Sequence, residues 1–207
     1  MPGWFISFEG IDGVGKSTQA DLLEQHLRDL GHEIVRTFEP GGTELGQEIR
    51  HLLLHRKGDV APRAEALLYA ADRAHHVATK VRPALEAGQV VITDRYLDSS
   101  VAYQGAGRDL KAQQVRDLSL FATDGLLPNL TILLDLDASA AGLRRNQTGQ
   151  EPDRLEREKI EFFEAVRQSF LDLAAAEPER FFVVDASQTV EQMQTSIRAR
   201  VDQLLAQ

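Results

Sequence analysis

Apolar positions along the chain gather into five short runs separated by stretches of helical spacing. Trp4-Phe5-Ile6-Ser7-Phe8, Glu33 to Phe38, Gln89 to Thr93, Leu130 to Leu136 and Phe181 to Asp185 are compact runs rich in β-branched and aromatic residues, and each predicts a strand. Between them, Ser17 to Leu30 repeats its apolar residues at Ala20, Leu23, Leu27 and Leu30 and closes on Gly31, a helix with its stop signal. Leu45 to His55 predicts a short helix with Leu45, Ile49, Leu52 and Leu53 on one face, which leaves Arg50 on another. Pro62 opens a long helix to about Ala87, a short helix carries Ser99 to Gln104, and Leu155 to Ala176 and Thr189 to Leu205 predict two more. Strands alternating with helices imply an α/β fold, a five-stranded parallel sheet flanked by helices on both faces.

Length and composition narrow this picture. A chain of 207 residues without a Pro/Gly/Ser-rich linker, repeat or low-complexity tract is expected to form a single domain over residues 1–207. It has no run of 18 apolar residues and no basic leader with a cleavage site, so neither a membrane span nor a secretory peptide is expected. The absence of cysteine excludes disulfides and thiolate chemistry and accords with a cytoplasmic location. A net charge of −9 argues against nucleic acid as a main partner: any phosphate affinity must come from local arginines and backbone N–H groups.

One such place is Gly10-Ile11-Asp12-Gly13-Val14-Gly15-Lys16-Ser17-Thr18. Gly10, Gly15, Lys16 and Ser17 fit the pattern in which loop N–H groups cradle phosphates, the lysine reaches the outer phosphates and the hydroxyl reaches Mg²⁺. A strand precedes this loop and a helix follows it, the order a phosphate site requires.

Further chemistry collects at strand ends, where open α/β sheets place their ligands. The second strand runs into the turn Glu39-Pro40-Gly41-Gly42-Thr43, and the third ends in Asp94-Arg95-Tyr96, whose aspartate suits Mg²⁺ or its waters. Tyr69 and Arg73, four apart, share a helix face on which a ring and a guanidinium can meet one ligand. Ser99 pairs with Tyr103 and Ser100 with Gln104 at the same spacing. Arg144 to Arg154 is a polar, basic-edged excursion that predicts a lid over about residues 142–154. His75-His76 lacks a third ligand at suitable spacing and gets no metal role.

The phosphate loop together with Glu39-Pro40-Gly41-Gly42-Thr43, Leu67 to Arg73, Asp94-Arg95-Tyr96, Ala102-Tyr103-Gln104-Gly105 and Asp153-Arg154-Leu155-Glu156 resembles the bacterial thymidylate kinases from end to end. The resemblance implies a P-loop nucleoside monophosphate kinase fold, usually a homodimer, moving the γ-phosphoryl group of ATP to dTMP with Mg²⁺. It implies that Gly10 to Thr18 and Arg144 bind the ATP phosphates and that Ser17 and Asp94 hold the metal. Asp12 would lie near the acceptor's 3′-hydroxyl. Tyr69 stands where the family usually stacks a Phe on thymine, Arg73 matches a donor to the base carbonyl, and Arg95 and Arg50 match holders of the acceptor phosphate. Glu39, Ser99, Ser100 and Gln104 fall around the acceptor, and Tyr103 sits where relatives disfavour ribose. Lys16, Arg95, Asp12, Arg145 and Arg154 are the implied catalytic set.

Two positions depart from that pattern. Gly13 stands where part of the family carries Arg, a change usually offset by several lid arginines, yet the middle of this lid reads Asn146-Gln147-Thr148-Gly149. Phe38 precedes Glu39 where a basic residue is common. The residues leave open a kinase for another nucleoside monophosphate or small acceptor. A nucleotide-dependent switch or binding module is the alternative from a different class, although no Asn-Lys-x-Asp guanine-reading segment follows a late strand.

Overall fold

The computed structural model describes residues 3–106, 110–147 and 153–206. Five strands, β1 (Trp4–Glu9), β2 (Ile34–Phe38), β3 (Val90–Asp94), β4 (Leu130–Asp135) and β5 (Phe181–Asp185), form one sheet in the order β2-β3-β1-β4-β5, every pair parallel. The central strands β1 and β4 are buried almost throughout, whereas edge strands β2 and β5 have exposed positions. Covered faces therefore explain the unbroken apolar runs. Along β1 the pleat sends Ile6 and Phe8 into one core with Leu23, Leu27 and Phe170, and Phe5 into a second core with Val77, Val91 and Tyr96. Register sets Phe8 and Phe38 on either side of Asp94, so the carboxyl ends of β1, β2 and β3 share one rim.

The helices are α1 (Lys16–Asp29), α2 (Glu44–Leu54), α3 (Pro62–His76), α4 (Arg82–Glu86), α5 (Leu97–Ser100), α6 (Ala112–Thr123), α7 (Ala138–Asn146), α8 (Ile160–Ala176) and α9 (Val190–Leu205). The single helix expected from Pro62 to Ala87 is interrupted by a π segment at Val77–Val81. There the Arg82 N–H reaches back five residues to the Val77 carbonyl, just before Pro83, which has no N–H to give. On α2, Ile49, Leu53 and Leu54 are buried, but Leu45 and Leu52, expected on the same stripe, lie on its exposed flank. Arg144, Arg145 and Asn146 are helical rather than part of a loop, and α8 begins at Ile160 instead of Leu155. Thr148-Gly149-Gln150-Glu151-Pro152, the middle of the expected lid, lies outside the described residues.

Candidate active site

The loop after β1 folds around the Lys16 ammonium, which donates to the carbonyls of Gly10 at 3.1 Å and Ile11 at 2.9 Å. Burial, with the Arg95 guanidinium beside it, pushes the Lys16 ammonium below its ordinary range, so it favours an anion to complete its shell. Val14 and Ile11 anchor the loop in the core, and Gly15 supplies the left-handed cap from which α1 starts. Gly13 has a close neighbour. Its φ is +91°, and a Cβ built on it would stand 2.3 Å from the carbonyl oxygen of Ala141 in α7. The loop and the backbone of α7 thus touch directly because position 13 has no side chain.

Around this loop opens a cavity of about 790 Å³. Gly13, Gly15, Lys16, Ser17 and Thr18 form one wall, and Arg36, Arg50, Arg95, Arg144 and Arg145 bring positive charge to the others. Ser17 Oγ donates to Asp94 Oδ2 at 2.6 Å, joining the loop to the end of β3. Hydroxyl and carboxylate oxygens are the ligands that Mg²⁺ accepts. Among the described residues no group of three or more His, Cys, Asp or Glu is arranged to hold a metal ion. That donor set fits an ion carried in largely by phosphate and water, as nucleotide-bound magnesium is.

Arg95 joins this cavity to a second, narrower one. Its Nη2 donates to Asp12 Oδ1 at 2.5 Å and to Tyr103 Oη at 3.2 Å, and its Nη1 to Ser99 Oγ at 2.9 Å and Gly10 O at 3.1 Å. Tyr103 Oη donates in turn to Asp12 Oδ2 at 3.0 Å. Burial would raise the Asp12 carboxyl, but the Arg95 guanidinium and the Lys16 ammonium outweigh it and hold the group well below the usual carboxylate range. Asp12 and Arg95 line both cavities. Arg95 itself has φ +69°, a left-handed backbone that a non-glycine residue keeps only when its surroundings insist. Glu9 does much of that: its carboxyl accepts from the backbone N–H of Tyr96 at 2.8 Å and of Ser99 at 3.3 Å, while Ser99 Oγ lies 2.5 Å away. Burial, reinforced by Asp98, pushes the Glu9 carboxyl up to about 8.

The second cavity is walled by Tyr69 and Arg73 from α3, by Ser99, Ser100, Tyr103 and Gln104, by Pro40 and Arg50, and by Asp153 and Leu155. Tyr69 presents its ring, and burial together with the nearby Glu65 carboxylate keeps its hydroxyl neutral. Arg73 is almost wholly buried. Its Nε donates to Glu39 at 2.7 Å, its Nη1 to Ser119 at 3.1 Å, and its Nη2 to Ser100 at 3.0 Å and the Tyr96 carbonyl at 3.2 Å. Of five N–H groups four have these partners, leaving one on Nη1 without a partner among the described residues. Glu39 therefore grips Arg73 from behind; its other oxygen meets His76 Nδ1 at 2.8 Å, and His76 Nε2 meets Thr37 Oγ1 at 2.7 Å. His76 is thus a structural partner of the Glu39 turn.

Arg50 donates to the Pro40 carbonyl at 2.8 Å and lies 5.8 Å over the Phe38 ring, so the aromatic residue at 38 serves as a shelf for a cation. Arg144 reaches the Ala186 carbonyl at 2.8 Å, and Arg145 lies 5.0 Å over the Phe163 ring; both border the phosphate cavity. Arg154 does not border it. Its Nε donates to Leu53 O at 2.9 Å and its Nη2 pairs with Glu65. Glu9, Glu65 and Ser119 were absent from the sequence-derived set. Glu65 carried a usable sign, four residues before Tyr69 and eight before Arg73 on one helix face, whereas Ser119 carried none.

The model of the thymidylate kinase family matches residues 8–197. A thymidylate kinase of Clavibacter sepedonicus is 64% identical over 206 residues, covering 100% of this chain and 98% of that relative. One from Leifsonia xyli subsp. xyli is 66% identical over 201 residues, covering 97% and 95%. The crystal structure of thymidylate kinase from Ehrlichia chaffeensis superposes with a TM-score of 0.80 at 29% identity, covering 98% of this chain and 99% of that one. A phosphate loop facing an arginine-lined cavity, with a ring and a donor beyond it, accompanies these likenesses: the chain belongs to the thymidylate kinase family.

Proposed function

We propose that the protein transfers the γ-phosphoryl group of ATP to the 5′-phosphate of dTMP, giving dTDP for DNA precursor supply. The observation that carries this reading is the junction at Asp12 and Arg95, which line both the phosphate-loop cavity and a narrower one walled by the Tyr69 ring, Arg73, Ser100 and Gln104. A phosphate monoester is mostly dianionic at neutral pH, its second pKa being about 6, so the acceptor arrives as a nucleophile and needs no general base. Catalysis then consists of in-line positioning and charge neutralisation. Lys16 and the loop N–H groups of Gly10 to Thr18 bind the donor phosphates, Arg95 and Arg50 hold the acceptor phosphate, and Arg144 and Arg145 supply lid charge. Arg154 would join them only after leaving Glu65 and the Leu53 carbonyl. Ser17 and Asp94 would hold Mg²⁺, which supplies positive charge to the phosphoryl oxygens when bound.

Tyr69 stacks on the base in this reading, with Arg73, Ser100 and Gln104 at its edge, Glu39 behind Arg73, and Ser99 and Tyr103 beside the sugar and phosphate. The chain acts as one P-loop domain with its lid at about residues 142–154. A homodimer goes with this reading: α3 and α6 pack together, and each exposes a large apolar side chain, Leu67 at 57% and Phe121 at 86%. No helix among the described residues is long and apolar enough to cross a membrane. A cytoplasmic location follows from the supply of ATP and nucleoside monophosphates. Coupled ADP release with dTMP, dUMP, dCMP and dAMP tests the assignment. Release that depends on dTMP is expected; strong preference for another monophosphate, or steady ATP hydrolysis without an acceptor, would overturn it.

A further inference from the structure

The Gln104 side chain faces a cavity in which its two ends would do opposite things, so what decides its orientation decides what the cavity recognises. Its oxygen accepts hydrogen bonds and its nitrogen donates them. Glu65, in the first turn of α3, is completely buried, and its Oε1 lies 3.1 Å from Gln104 Nε2. The other oxygen of Glu65 is taken by Arg154 Nη2. Both oxygens of Glu65 thus accept, one from a guanidinium and one from the amide, and the amide faces Glu65 with its N–H. The Gln104 oxygen is thereby turned away from Glu65, and Gln104 lines the acceptor cavity.

Arg73 lines the same cavity and keeps one N–H on Nη1 without a partner among the described residues, a donor available to a ligand there. An acceptor from Gln104 beside a donor from Arg73 complements an imide edge, in which a ring N–H adjoins a carbonyl. It mismatches the edge of cytosine at both points, where an exocyclic amine meets the Arg73 N–H and an unprotonated ring nitrogen meets the Gln104 oxygen.

We propose that Glu65 is a positioning residue that fixes the Gln104 amide with its oxygen toward the acceptor base, and so sets selectivity for imide pyrimidines over cytosine. This rests on the dTMP reading above. Arg154 belongs to the same device: it holds Glu65 in place while its Nε anchors the Asp153 to Leu155 strap to Leu53 O. Glu65 is completely buried and does not line the cavity, so its effect on the base edge is exerted through Gln104.

The test is steady-state kinetics of the full chain with ATP and either dTMP or dCMP. In Glu65→Gln the new amide can donate to the Gln104 oxygen as well as accept from its nitrogen, so both orientations of Gln104 become populated. We expect the dTMP:dCMP ratio of kcat/KM to fall about tenfold or more, the scale of one mispaired hydrogen bond, with the KM for ATP unchanged. In a Gln104→Leu background, Glu65→Gln should leave the ratio where Gln104→Leu alone puts it. A folded Glu65→Gln protein with the parent ratio would overturn the proposal, as would an equal shift in the Gln104→Leu background. If Glu65→Gln does not fold, Arg154→Met loosens Glu65 from the surface side. The ratio should fall there too, and an unchanged ratio would overturn the proposal. A parent enzyme that does not use dTMP would instead remove the functional reading itself, before any variant is made.

Discussion

Replacing Gly13 by alanine tests whether the phosphate loop and the lid arginines are one mechanical unit. Two penalties apply. The backbone has φ +91°, where an L-residue costs about 1–2 kcal/mol. The new methyl would also stand 2.3 Å from Ala141 O, roughly 1 Å inside an ordinary contact, and the obstacle is helix backbone that cannot rotate aside. Relief requires α7 to move by about that distance, at the 1–3 kcal/mol typical of overpacking. Gly15 provides the reference: its φ is +96°, yet a Cβ there meets nothing within 4 Å. In apo protein, Gly15→Ala should therefore lose about 1–2 kcal/mol and Gly13→Ala about 2–5 kcal/mol. At about 2–4 °C per kcal/mol for a chain of this size, the two separate in a thermal melt. Because α7 carries Arg144 and Arg145, a shift of about 1 Å should also lower kcat about a hundredfold. Melting curves on both variants, with ADP-release kinetics on Gly13→Ala, check this. Equal melting of the two, with Gly13→Ala turnover within twofold of the parent, would refute the coupling.

Four further outcomes are expected. Lys16→Ala should lose most of kcat while remaining folded, and near-normal turnover would remove the loop from the mechanism. Among the arginines, Arg144→Ala and Arg145→Ala should cut kcat by about 10² to 10³-fold, whereas Arg154→Ala should act mainly on the KM for dTMP; the reverse ranking in steady-state kinetics would reject this order. Tyr103→Ala should lose discrimination between deoxyribo and ribo acceptors, measured with the paired monophosphates, and retained discrimination would move the ribose filter elsewhere. Glu9 should make stability depend on pH. Its folded carboxyl lies at about 8 against an ordinary 4.5, so its favourable contribution is complete below about pH 4.5 and is lost as pH rises toward 8. Glu9→Gln keeps an oxygen for the Tyr96 and Ser99 N–H groups, so its melting temperature should gain on the parent's between pH 5 and 8. The difference should approach a few kcal/mol at most, and a gap that stays constant across that range would contradict the assignment.

How far the sequence disclosed the molecule depended on whether the responsible interactions were local. The strands and the phosphate loop were legible because covered β-structure and glycine-rich phosphate loops write themselves into consecutive residues. The helix α6 was not, because it buries Val115, Ser119 and Thr123, two of them polar and small, and so shows no apolar stripe. Much the same holds for α7, whose Ala-Ser-Ala-Ala-Gly start has no large side chain to mark a face; Arg144 and Arg145 consequently looked like part of a loop. Tyr69, Arg73, Arg95 and Gln104 were found from helix spacing and strand ends. Their supports were hidden by distance along the chain: Glu39 and Arg73 are 34 residues apart, Gln104 and Glu65 39, and Ser99 and Glu9 90. In sequence such a glutamate cannot be told from a solvated one.

Those hidden carboxylates also explain how a chain of net charge −9 can serve polyanionic substrates. Three of the donors that line the acceptor cavity are paired with an acid: Arg95 with Asp12 at 2.5 Å, Arg73 with Glu39 at 2.7 Å, Gln104 with Glu65 at 3.1 Å. Such pairing weakens the field a phosphate feels, so long-range attraction cannot be the main source of affinity. What it contributes is direction. A long arginine side chain loses about 2 kcal/mol of rotamer entropy when fixed, and here that loss is taken during folding, before any substrate arrives. The acceptor phosphate then meets an Arg95 already aimed at the phosphate loop by Asp12, Ser99 and the Gly10 carbonyl. These three carboxylates are therefore internal scaffolding for the donors of the site, and the net charge of the chain says little about it.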